Sequence, residues 1–140
     1  MKPIPQTENP LIIRTDFSDR AVWEEICAIV RMPVGIFGFR ANVEFLDDVA
    51  YADLTKSQLL ELLPSDYDHT LLIVADKNAI SLPDHPLLVI DLHEGSGNEF
   101  RALPSRIQGI ENNLSIANMD FEEFAGSVDE DGVFRGFPKS

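Results

Sequence analysis

Positive charge is scarce in this sequence. Eleven Lys and Arg stand against 24 Asp and Glu, a formal charge of −13 over 140 residues. Nucleic acid and anionic membrane surfaces are bound chiefly through Lys and Arg, so neither is an expected partner. Cysteine is nearly absent as well. The single Cys27 excludes an internal disulfide and a zinc cluster, and this usage fits a reducing, cytoplasmic setting. No apolar run approaches the roughly 18 residues that a membrane span needs. The opening MKPIPQTENP lacks the apolar centre of a secretion signal, and residues 1–9 are expected to form a flexible tail.

Catalytic and cofactor motifs are missing too. The chain contains no G-x-S-x-G elbow, no G-x-G-x-x-G turn and no phosphate-binding P-loop. RTDFSD spaces its acids as D-x-x-D, unlike the D-x-D followed by Thr or Val of aspartate-nucleophile phosphatases. Cys27 falls within a helical pattern and reads as a small packed hydrophobe. Among the histidines, His69 and His85 sit in turn-like DYDH and PDHP, and only Asp91 with His93 has the strand-alternate spacing a metal pair wants.

What the sequence does contain is the pattern of one α/β domain. A hydrophobic content of 44% is near the globular average, and the length supports a core without covalent staples. LIIRTD (11–16) reads as a strand, and Ser18 as the cap of a helix running to about Arg31 with Val22, Ile26, Ile29 and Val30 on one face. Trp23 beside that face reads as core. PVGIFGFR is a glycine-rich loop whose apolar residues are expected to pack. ANVEFLDD alternates as a strand does. Thr55 and Gln58 form a capping box, and Pro64 closes the short helix that follows.

TLLIVAD (70–76) and LLVIDLH (87–93) are apolar without alternation, which predicts strands covered on both faces. EGSGN predicts a hairpin turn into FRALP (100–104). Residues 106–118 read either as a helix capped by Ser105 and Gln108 or as a hairpin turning at Asn112–Asn113. Asp120 and Glu123 form a further capping box, before a helix that faces inward through Phe121, Phe124 and Val128; Val133, Phe134 and Phe137 then dock the tail. The element order β-α-β-α-β-β-β-α-α predicts an α/β sandwich, a single domain over 1–140. Its mixed five-stranded sheet would have a parallel core and an antiparallel hairpin, with helices packed on it.

Two groups of residues are candidates for function. Asp16, Asp48, Asp76 and Asp91, with His93, end predicted strands. Were those strands parallel neighbours, the acids would collect at the carboxyl edge where open α/β sheets place ligands, in a chemistry suited to Mg²⁺. Against that, Asp after a strand commonly caps the next helix or turn. The second group lies in a stretch with no Lys or Arg between Arg106 and Arg135. There Glu122, Asp129, Glu130 and Asp131 form an acidic patch without an evident counter-charge, which would suit a basic protein partner, although acidic runs are often only solvated faces. The expected activity is therefore a non-enzymatic acidic interaction module, accessory or inhibitor-like. The alternative is a small Mg²⁺-dependent enzyme or ligand-binding domain using the strand-end acids. Otherwise no cofactor is expected.

RTDFSDRAVWEEI, ANVEFLDD, the HTLLIVAD and HPLLVIDL pair, ENNLSIANMDFEEFA and DEDGVFRGF together resemble a bacterial family of small proteins classed as a domain of unknown function. The similarity extends over almost the whole chain. It implies a bacterial, cytosolic, stand-alone domain and brings no activity or catalytic residue with it.

Overall fold

The structure, a computed structural model, describes residues 2–137. Its elements in chain order are β1 (Leu11–Arg14), α1 (Arg20–Arg31), β2 (Glu44–Leu46), α2 (Lys56–Leu62), β3 (Leu71–Ala75), α3 (Lys77–Ser81), β4 (Leu87–Asp91), β5 (Glu99–Ala102), α4 (Ile107–Ser115), α5 (Phe121–Ala125) and β6 (Val133–Phe134). The strands form one mixed sheet in the order β2-β1-β3-β4-β5-β6. It has six strands where the sequence pattern predicted five, because Val133 and Phe134 pair with β5 in parallel instead of merely docking.

β1 is central to the parallel part of the sheet, with β2 on one side and β3 on the other. A right-handed crossover to each side places the two connecting helices on opposite faces. Accordingly, alternate residues of β1 serve two cores. Ile12 packs with Trp23, Ile26 and Val30 of α1, and Ile13 packs with Tyr51 and with Leu59 of α2. All residues of β3 and β4 are buried, as their unbroken apolar runs predicted. Yet β4 runs antiparallel to β3, Leu71 lying opposite Asp91. The short connection through α3 reverses the chain, whereas a parallel return needs a crossover of about a dozen residues or more.

Local chemistry explains most element boundaries. The capping box of Thr55 with Gln58 opens α2, and that of Asp120 with Glu123 opens α5. α1 is capped by Asp19, whose carboxylate accepts from the Val22 amide. Ser18 is not its cap, because its amide and hydroxyl are both held by Asp16. The buried face of α1 is Trp23, Ile26, Cys27 and Val30, so the apolar stripe is turned towards Trp23, and Val22 and Ile29 are only half-buried. Burial pushes the Cys27 thiol up to about 11. Residues 107–115 are helical, which excludes the hairpin, but Ser105 and Gln108 do not cap the helix: it follows Arg106 without a side-chain cap.

The N-terminal segment is docked, contrary to the expected tail. Ile4 is buried in the second core and its amide donates to the Leu62 carbonyl, while the Tyr51 hydroxyl donates to the Pro3 carbonyl. One isoleucine in a polar segment suffices to anchor it, since a fully buried aliphatic side chain contributes about 1.5–3 kcal/mol.

Candidate functional site

The carboxyl edge of the parallel strands holds a polar crevice of about 230 Å³ between Thr15 and Asp16 after β1, Asp76 and Asn78 after β3, and Asp53 on the neighbouring loop. It lies between β1 and β3, where the connections leave the sheet in opposite directions, the usual ligand position of such folds. The backbone fixes its walls: the Thr15 amide donates to the Ala75 carbonyl, and the Asp53 amide donates to the Thr15 carbonyl. Asp53 has a φ of 62°, a left-handed conformation that Asp tolerates better than most residues.

The five residues predicted as a metal site are not gathered there. Asp16 and Asp76 line the crevice. Asp48, at the end of β2, is engaged by Lys2, which holds its carboxyl below the usual carboxylate range. Asp91 and His93 lie at the opposite end of the sheet, because β4 is antiparallel. Asp91 there accepts from the His93 amide and the Ser96 hydroxyl and thereby orders the turn into β5, while the His93 side chain is exposed. Asp76 is closed off by its own partners: both of its oxygens accept from Arg101, at 2.9 and 2.7 Å, and one also caps α3 at the Ala79 amide. Among the described residues, no three His, Cys, Asp or Glu side chains come together as metal ligands.

Arg14, which the sequence did not single out, braces this edge from within. It is 2% exposed, donates to the Asp16 carbonyl and to Asp47, and lies over the Phe17 ring at 4.3 Å. A buried guanidinium needs such partners to offset its desolvation.

The predicted acidic patch also divides. Asp129 and Asp131 are both held by Arg135, which further reaches Asp84. Arg135 is thus the counter-charge the sequence reading had found missing, brought back onto Asp129 and Asp131 by the turn at Gly132. The pair holds the Asp131 carboxyl below its ordinary value, chiefly through the Arg135 hydrogen bond. Glu122 lies elsewhere, at the rim of a hollow shared with His93 and Asp120. Glu130 is exposed.

The surface least like the rest of the molecule is the loop 33–40. It was predicted to pack, and instead it projects. Val34 and Phe39 exchange backbone hydrogen bonds at 2.7 and 2.9 Å, and Gly35 and Gly38, at φ 74° and 66°, close the turn. The tip carries Ile36 at 94% and Phe37 at 78% exposure, with Met32 and Phe39 also exposed beside it. The stem of this hairpin is fixed. Glu111 of α4, itself 2% exposed, accepts from the Asn42 amide at 2.6 Å and from Asn112 and Ser115, and Asn112 donates to the Arg40 carbonyl. Arg31 at the other root lies over the Phe45 ring at 4.5 Å.

Residues 9–137, which take in the crevice, the hairpin and its clamp, match the model of the family described as Domain of unknown function (DUF6924). The chain belongs to the DUF6924 family. No curated protein matches it. The match ends at Phe137, so it includes the Arg135 cluster and the strand β6 of this DUF6924 domain. No helix among the described residues is long and apolar enough to cross a membrane.

Proposed function

We propose that this domain is a non-enzymatic protein-interaction module that docks its partner through the 33–40 hairpin. The observation that carries this reading is the pairing of a fully presented apolar tip with a buried clamp. Ile36 and Phe37 point away from the fold while Glu111 and Asn112 hold the stem at its Asn42 and Arg40 backbone. Contiguous exposed apolar surface carries a solubility cost and marks interaction sites, and a pre-ordered loop reduces the entropy lost on binding. The basic partner expected from net charge keeps support only at Glu122 and Glu130, since Arg135 already occupies Asp129 and Asp131. Asp16 and Asp76 of the crevice are tied to the fold through Ser18 and Arg101, which favours binding over catalysis as the role of the domain.

A photo-crosslinking residue placed at position 37, in cells that naturally make the chain, tests this directly. It is expected to give a discrete protein adduct that the same residue at exposed Glu61, on α2, does not give. Equal and diffuse labelling from both positions would refute the hairpin as the docking surface.

A further inference from the structure

Charge is not spread evenly around this hairpin. Between Glu25 and Glu44 the sequence has no acid but includes Arg31 and Arg40, in a chain whose formal charge is −13. Of the seven arginines, Arg14, Arg20, Arg101 and Arg135 each pair with a carboxylate. Arg31, Arg40 and Arg106 make no ion pair among the described residues, and all three border the hairpin. Beside its stem lies a groove of about 240 Å³, formed by Val34, Ile110, Phe124, Phe134 and Phe137 with Arg106 at its edge. Among the described residues no acid lines it, whereas three other hollows of comparable size are each lined by Asp or Glu. The Arg106 guanidinium is seated against Gly136, where a Cβ would approach it to 2.9 Å, so its position is set by close backbone approach. Glu111, the acid that clamps the stem, is buried and engaged by Asn42, Asn112 and Ser115.

We infer that the groove and hairpin together bind an acidic, apolar protein segment, a partner of opposite local charge to the one the overall composition favours. This rests on the interaction-module reading and names the partner chemistry. An apolar side chain of the segment enters the groove against Val34 and Phe137, Ile36 and Phe37 cover it, and its carboxylates meet Arg106, Arg40 and Arg31. Arginine suits that task because its planar fork pairs with carboxylates in two-point fashion. Elsewhere the surface repels an acidic segment, so the match confines docking to this patch and fixes its orientation. A protein segment is favoured over an anionic bilayer because the recessed groove accepts a single side chain, and a flat lipid surface would bring the acidic flanks within a Debye length of about 8–10 Å.

The test uses the full chain and two fluorescent peptides of equal length, both built on a Leu and Phe core, one flanked by Glu and the other by Lys. Fluorescence anisotropy at low salt is expected to show the Glu peptide binding at least about tenfold tighter than the Lys peptide, with affinity falling as salt rises. Arg106→Glu is expected to reverse that preference, and Arg40→Glu, on the exposed stem, to weaken the Glu peptide without touching the Gly136 contact. Tighter binding of the Lys peptide that is lost in Phe37→Ser overturns the charge assignment and leaves the hairpin as the docking surface. Binding of neither peptide at millimolar concentration overturns both. Phe37-dependent binding to phosphatidylglycerol vesicles in preference to the Glu peptide would make the surface a lipid one and refute the proposal.

Discussion

Glu111 places three hydrogen bonds on one buried carboxylate and ties a loop to a helix far along the chain. Glu111→Ala leaves the Asn42 amide without its carboxylate acceptor, and a hydrogen bond to a charged group contributes about 1.5–3 kcal/mol. Urea unfolding is expected to show a loss of that order, with faster hydrogen exchange at the Asn42 amide. An unchanged exchange rate would show that the clamp does not hold the stem. Arg135 acts differently, through exposed charge. Asp131 titrates below its ordinary 3.8 in the folded chain. Its contribution is therefore complete above that value and is lost as pH falls through the lower folded one. In Arg135→Ala the Asp131 carboxyl is expected to titrate close to 3.8 by carbon NMR, and the acid side of the stability profile to flatten. A midpoint that stays depressed would assign the shift to the backbone amides instead.

At the scale of elements, the hairpin 33–40 is the part that contributes least to the core and most to the surface. Replacing both Ile36 and Phe37 by Ser is expected to leave the unfolding free energy within about 0.5 kcal/mol, as surface substitutions usually do; a larger loss would mean that the tip packs on the fold. Sequence reasoning could not see this. A short apolar run between glycines reads the same whether it turns inward or outward, because periodicity reports a face only over several turns or strand residues. Two local devices were legible, since Thr55 with Gln58 and Asp120 with Glu123 each opened the helix they predicted, whereas Ser105 with Gln108 did not cap α4. The unbroken apolar runs of β3 and β4 likewise signalled burial on both faces. The direction of β4 was left open by the sequence, and it decided the fate of the acids. Asp91 follows an apolar run just as Asp76 does, yet the reversal at α3 puts the two at opposite ends of the sheet. Arg14 was passed over because a lone cation ending a strand looks solvated; only the fold reveals Phe17, Asp16 and Asp47 around it.

For the whole molecule, the account is one of charge segregation on an α/β frame. Net charge of −13 describes the average surface and says little about the patch where exposed aromatics meet arginines that have no ion pair among the described residues. The sheet supplies the frame: α1 delivers Arg31 to one root of the hairpin, and α4 with the turn before it supplies Glu111, Asn112 and Arg106 to the other side. The acids at the carboxyl edge and around Arg135 are spent on holding that frame together. The central claim is that the hairpin tip exists to be covered by a partner. Its most direct measurement is calorimetric: the affinity of the purified chain for the protein crosslinked at position 37, compared between wild type and the variant with Ile36 and Phe37 both replaced by Ser. The account predicts a loss of affinity of at least about tenfold, roughly 1.4 kcal/mol or more. Equal affinity of the two proteins would contradict it.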